Sequence, residues 1–253
     1  MNIRELYQFL NEKIPSALSC DWDHDGLAVC PNGEQEVTGI LCVLDATEEA
    51  LAMAKAKGYN VILAHHPLLF RPLSSLTWST PTERLAMDAL LSGVAIMSFH
   101  TRADALEGGT NTCLIKALAL KEIPLEEQGL LYRLGELPAP MTADMFAQHV
   151  SRSLGATSLR FSDGGKPISK VLVCGGGGRE FAPLAKKYGA DAYLTGELGH
   201  HALCDGPSLG ISYFEAGHYE TELPLLAFFK ALVLEADPTL LVETSATTPI
   251  RSL

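Results

Sequence analysis

Residues 37–66 read VTGILCVLDATEEALAMAKAKGYNVILAHH. The run ending in Asp45 has the length and the aliphatic content of a buried strand. Thr47 is placed to cap a helix through EEALAMAKAK, whose first turn is acidic and whose end is marked by Gly58. VILA (61–64) is then a second strand. Strand, helix, strand at this spacing is a crossover between parallel strands. Working outward, residues 3–13 make an amphipathic helix with Ile3, Leu6, Tyr7, Leu10 and Ile14 on one face. PTERLAMDALLSG (81–93) is a helix closed by Gly93, VAIMSF (94–99) a third strand and NTCLIKALA (111–119) a short helix. The stretch 121–141, rich in Glu, Gly and Pro, reads as a connection. After it come a helix (143–155), a strand (170–175), a helix (178–189), strands at 192–195 and 211–216, a helix (222–236) and a last strand (240–244). The fold class is α/β with a largely parallel sheet.

The second half repeats the first. KVLVCGGGGREFAPLAKKYGADAYLTGE (170–197) stands against 37–66, with Gly58 matching Gly189, Asn60 matching Asp191 and Leu63 matching Leu194. The next strand of each half ends in a histidine followed four residues later by a carboxylate, His100 with Asp104 and His218 with Glu222. This predicts duplicated βαβ-type units forming two similar α/β halves, 1–125 and 126–253. The C-terminal helix and strand are able to return to the first half.

The 253 residues carry 19 Lys plus Arg against 30 Asp plus Glu, so 19 − 30 = −11, which argues against a nucleic-acid binder or a ring around DNA. With 47% hydrophobic and 19% charged residues the chain is an ordinary globular one. No apolar run approaches the roughly 20 residues that span a bilayer. The acidic, amphipathic N-terminus is not a signal peptide. Six cysteines without a C-x-x-C pair are expected to be reduced, in a cytoplasmic protein.

Six of the eight histidines lie in four places: His65-His66, His100, His200-His201 and His218. Three of these places directly follow a predicted strand, where open α/β sheets bind ligands. Adjacent residues on an extended chain point to opposite faces, and Pro67 keeps His66 extended. The pair therefore suits two metal ions better than one. An i, i+4 pair on a helix can grip one ion, which Gly217 and the following helix favour for His218 and Glu222. HTRADALEGGTN (100–111) reads as a loop, so either His100 or Asp104 alone reaches the metal. Imidazole with carboxylate and no thiolate selects Zn, Fe, Mn, Co or Ni. Five groups shared by two ions leave open positions, as catalytic sites do, and Glu222 is the candidate to bridge the ions. CGGGGREF (174–181) could hold an anion on backbone N–H groups, although a tight turn is the simpler reading.

WDHDGLAV (22–29), HHPLLF (65–70), HTRADALEGGTN (100–111), TGE (195–197) and GHYETE (217–222) give the chain a resemblance to the Nif-three-like metal proteins, the GTP cyclohydrolase 1 type 2 homologs. The resemblance implies a duplicated α/β fold with a dinuclear site between the halves and a ring-shaped homohexamer. Carried over by motif, the metal ligands are His65, His66, Asp104, His218 and Glu222, with His100, and after it Glu197 and His201, around the ligands or against the substrate. The 121–141 connection is too short for the inserted domain of some relatives. AVCPNG (28–33) and the four glycines depart from the family pattern in regions that could line a pocket. The implied activity is a dinuclear metal-dependent hydrolase acting on a small molecule: a purine nucleotide such as GTP, or else a phosphoester or ring amide. The alternative class is a metal-binding interaction or chaperone protein without turnover.

Overall fold

The computed structural model describes residues 1–250. Its elements run α1 (Ile3–Lys13), β1 (Gly26–Val29), β2 (Ile40–Val43), α2 (Glu48–Lys57), β3 (Val61–Ala64), α3 (Pro81–Leu91), β4 (Ala95–Ser98), α4 (Thr101–Ala105) and α5 (Thr110–Ala117). They continue with β5 (Lys121–Ile123), β6 (Arg133–Met141), α6 (Ala143–Leu154), β7 (Arg160–Ser162), β8 (Ile168–Gly177), α7 (Leu184–Lys187) and β9 (Ala192–Glu197). The last are α8 (His200–Leu209), β10 (Ser212–Glu215), α9 (His218–Glu222), α10 (Leu225–Ala236) and β11 (Val242–Thr244). The chain divides into two compact units, Met1–Ala103 with Leu226–Pro249, and Asp104–Leu225 with Ile250. Leu114, Ile115, Leu118 and Leu120, upstream of the 125/126 division expected from sequence, pack in the core of the second unit.

The first unit holds a sheet in the order β1-β4-β3-β2-β11. β4, β3, β2 and β11 run parallel, and β1 is antiparallel to β4. β11 pairs with β2, with Val242 opposite Ile40. Alternate strand residues Leu41, Val43, Ile62, Ala64 and Ile96 pack under Leu51, Ala54, Leu85 and Ala89 of α2 and α3. Ile3, Leu6 and Leu10 of α1 are fully buried, and the Phe99 ring packs against Tyr7 and Phe229. Each such buried aliphatic side chain contributes roughly 1.5–3 kcal/mol over exposure. Asn2 and Glu5 close a capping box on α1, Thr47 caps α2, and Gly58 ends α2 at φ 73°.

The second unit holds a sheet in the order β5-β6-β8-β9-β10-β7. β8, β9 and β10 are parallel, while β6 and β7 run antiparallel on either side. One face packs Phe146, Val150, Val171, Val173, Leu194 and Phe214; the other packs Leu172, Tyr193, Tyr213 and Ala185. The order β7-β10-β9-β8 repeats β1-β4-β3-β2, with the same mix of parallel strands and one antiparallel edge. The duplicated α/β architecture expected from the repeat is therefore present, with an antiparallel edge strand, β1 or β7, before the parallel strands of each repeat.

Three local expectations differ. The 121–141 stretch is not a plain connection but β5 and β6, with Leu134 and Leu137 buried. Pro138 and Pro140 are tolerated because the pairing with β8 breaks register between Glu136 and Met141. GREFAPLAKKYG is not one helix: a 3-10 turn at Arg179–Phe181 and the short α7 are split around Pro183. The loop expected at 100–105 is helical, for a reason that belongs to the site. No helix among the described residues is long and apolar enough to cross a membrane.

Candidate metal centre

In the first unit, the chain leaves β3 and β4 with histidines. His65 is fully buried, and its Nδ1 donates to the carbonyl of Phe99 at 2.9 Å. A carbonyl only accepts, so Nδ1 carries the proton and Nε2 is the lone-pair nitrogen of the neutral ring. His66 Nδ1 donates to Asp45 Oδ1 at 2.9 Å, and His100 Nδ1 donates to Asp23 Oδ1 at 3.0 Å. The ring centroids are 4.8 Å apart for His65 and His66, 5.3 Å for His65 and His100, and 5.5 Å for His66 and His100. One ligand atom from each of the three lies within 4.8 Å of the others, a group able to hold a metal ion.

The support beneath this group comes from the loop before β1. The Asp23 side chain is fully buried. Its Oδ2 accepts from the backbone N–H of Thr101 at 3.0 Å and from the Thr101 hydroxyl at 2.6 Å. Burial pushes the Asp23 carboxyl up, but the hydrogen bonds from His100 and Thr101 outweigh it and hold it well below the usual carboxylate range. Asp25 Oδ2 accepts from the His100 N–H at 2.8 Å and from Arg102 Nε at 2.9 Å. Arg102, 1% exposed, also donates to Asn11 Oδ1 and the Ile14 carbonyl and lies over the Phe99 ring. Two carboxylates from a distant loop therefore cap the start of α4, which is why 101–105 is helical although its own sequence carries no cap.

In the second unit, β10 gives way at Gly217 (φ 98°) to α9. His218 and Glu222 lie one turn apart, with Nε2 3.3 Å from Oε1, and Glu222 is 3% exposed. His218 Nδ1 donates to Glu197 Oε1 at 3.1 Å, from the end of β9. A fourth histidine thus has Nδ1 committed to an oxygen. Asp104 stands at the head of this unit. Its backbone carbonyl accepts from the buried Asn111 amide at 3.1 Å, and the Asn111 oxygen accepts from Gly175 N at 2.8 Å. Burial, then the charges of Asp104, Glu180 and Glu222, push the Cys174 thiol well up.

Gly176 of the four-glycine run has a steric function. β8 continues through Gly177 instead of turning after 175. Gly176 sits at φ 63°, and a Cβ there would run into Glu222 Oε1 and stand 3.0 Å from His218 Nε2. Gly176 N donates to Thr221 Oγ1 at 3.0 Å. The glycine lets the strand pass close beneath the His218–Glu222 pair.

Of the expected site residues, His65, His66 and His100 come together in the first unit, and His218, Glu222 and Glu197 in the second. His201 is exposed on α8 beside His200, their ring centroids 5.6 Å apart. The sequence reading missed Asp23, Asp25, Asp45 and Asn111. Asp45 was accessible to it, as a carboxylate just beyond β2 on the edge where His65 and His100 emerge. The donor set is imidazole nitrogen with carboxylate oxygen. Its secured Nδ1 atoms resemble the oxygen–histidine–metal arrangement that fixes a ligating ring, and this fits a divalent transition metal.

The chain matches the family described as Duf34/NIF3 (NGG1p interacting factor 3) over residues 1–249. It is 31% identical over 259 aligned positions to a GTP cyclohydrolase 1 type 2 homolog of Clostridium perfringens, covering 98% of each chain. It is 34% identical over 210 positions to one of Lactococcus lactis, covering 81% of each. Among solved structures, Staphylococcus aureus hypothetical protein SA1388 superposes with a TM-score of 0.90 at 25% identity, over 100% of this chain and 99% of that one. With its duplicated sheets and its histidines at strand ends, the chain belongs to the Duf34/NIF3 (NGG1p interacting factor 3) family.

Proposed function

We propose that this protein is a hydrolase that uses a pair of divalent transition-metal ions held by His65, His66, Asp104, His218 and Glu222. The observation that carries the reading is the common state of four histidines. His65, His66, His100 and His218 each donate Nδ1 to an oxygen, which in the ligands His65, His66 and His218 leaves Nε2 as the nitrogen offered to a metal. Bound ions supply Lewis-acid polarisation of a substrate oxygen and a water that ionises near neutral pH. The chain's own contribution is to fix the rings before any ion arrives. Phe99, Asp45, Asp23 and Glu197 set tautomer and orientation, and burial of Glu222 keeps its carboxylate in one place. His100 would stand beside the ligands or the substrate, and Glu222 would hold the ions through its carboxylate.

The narrower reading is a purine nucleotide substrate, supported by the name GTP cyclohydrolase 1 type 2 homolog carried by the relatives. In that reaction water adds to the carbon between the two imidazole nitrogens of the base. One carbon–nitrogen bond breaks, the nitrogen takes a proton, and a formamide remains. A homohexamer in the cytoplasm is the assembly and location this reading takes. The test is to load the protein with Zn, Mn or Fe and follow the purine absorbance of GTP, with Asp104→Ala in parallel. Ring opening by the wild type and its loss in the variant support the hydrolase. Metal bound by both proteins with no turnover of GTP, phosphoesters or ring amides overturns it in favour of a metal-binding protein without turnover.

A further inference from the structure

We infer that Trp22 and Phe70 form a stacking wall for a planar heteroaromatic ring beside His100, and that this ring is the base end of the substrate; the inference rests on the hydrolase reading above and narrows its substrate. The two side chains come from different loops, one before β1 and one after β3. Their ring centroids are 6.1 Å apart, and those of Trp22 and Phe70 lie 6.2 and 6.3 Å from that of His100. The interplanar angles are 61°, 73° and 79°, so each ring meets the others edge to face and holds their orientation. Yet Trp22 is 55% and Phe70 45% exposed. Large apolar faces are thus open to water beside a group of three histidines, where a ligand can cover them.

The backbone on either side of Trp22 is held in place. On one side of it Cys20 N donates to Thr101 Oγ1 at 2.9 Å, and on the other the buried Asp23 carboxylate binds His100 and Thr101. Asp23 N closes the turn onto the Cys20 carbonyl at 2.9 Å. An exposed indole on a pinned loop offers its face with less entropy to lose than one on a free loop, and stacking recognises any flat π system. Asp21, exposed next to Trp22 in the same loop, repels phosphate. The wall therefore receives the ring of a nucleotide and not its anionic end.

The test uses full-length, metal-loaded protein in a Trp78→Phe background, which leaves Trp22 as the sole tryptophan of the two. GMP and ribose 5-phosphate are the probes. GMP is expected to quench Trp22 emission saturably, and ribose 5-phosphate is not. By calorimetry, Trp22→Ala and Phe70→Ala should each weaken GMP binding roughly ten- to hundredfold at unchanged metal content, with partial recovery in Trp22→Phe. Quenching is read in unmutated Trp22, so it stands even if Trp22→Ala fails to fold. No quenching by GMP, equal quenching by ribose 5-phosphate, or wild-type GMP affinity in both alanine variants overturns the subsite. Quenching and weakened GMP binding without turnover would leave the subsite standing and remove the hydrolase. Turnover with unaltered GMP affinity in the variants would remove the subsite alone.

Discussion

Gly176→Ala places a methyl group where Glu222 Oε1 already sits and 3.0 Å from His218 Nε2. Its effect has two parts. Holding alanine at φ 63° costs about 1–2 kcal/mol of stability, a Tm loss of roughly 2–8 °C for a chain of this size. The methyl group also forces the Glu222 carboxylate, the His218 ring or the strand to move, since no real Cβ tolerates that contact. Displacing the support of metal ligands weakens metal binding by roughly 10–100-fold. Two control variants separate the parts. Gly189→Ala sits at φ 65° with nothing within 4 Å and should show the backbone cost alone. Gly177→Ala also meets nothing within 4 Å and has no positive φ, so it should behave as wild type. The assay is competition for Zn against a chromophoric chelator, with Tm by scanning calorimetry. Wild-type metal affinity in Gly176→Ala, or equal metal loss in Gly189→Ala, would refute the idea that this glycine makes room for the ligand pair.

Asp45→Ala removes the acceptor that orients His66 and should weaken metal binding roughly 10–100-fold with little change in the apo Tm, as read by the same competition. Arg102→Ala leaves the buried Asp25 without its ion pair and should cost about 3–5 kcal/mol in urea denaturation; a loss below 1 kcal/mol would mean that this network does not hold α4. Glu215 accepts from Leu198 N, Gly199 N and Arg160, and although burial opposes it these bonds lower its carboxyl. A lowered folded pKa gives stability that is present above the unfolded value, near 4.5, and is lost as pH falls through the folded one. Glu215→Gln should therefore lower the Tm at pH 7, with the gap to wild type closing below about pH 4; a gap independent of pH would contradict the assignment.

What the sequence made legible was whatever is encoded locally. Buried aliphatic runs such as 61–64, the Thr47 cap with Gly58, and histidines directly after strands all lie within one turn or one strand of the feature they mark. The repeat exposed the duplicated unit because Gly58 and Gly189, and Leu63 and Leu194, hold the same places in two crossovers. What was not legible depends on distant partners. The start of α4 is capped by Asp23 and Asp25, more than seventy residues earlier in the chain. β6 carries two prolines that local rules exclude from a strand and that only a break in its pairing with β8 admits. Gly176 read as part of a turn because its reason for being glycine is the carboxylate of Glu222, far along the chain. Division of the halves at 125/126 followed the composition of the connection, whereas packing draws α5 into the second core.

The proposed function stands or falls with a paired metal site. The most direct test is metal content by inductively coupled plasma mass spectrometry on protein purified without added metal, wild type beside Glu222→Ala and His65→Ala. About two transition-metal ions per chain in the wild type, and loss of one or both in each variant, is the result the account predicts. No bound transition metal, even after incubation with Zn, Mn or Fe, would contradict it.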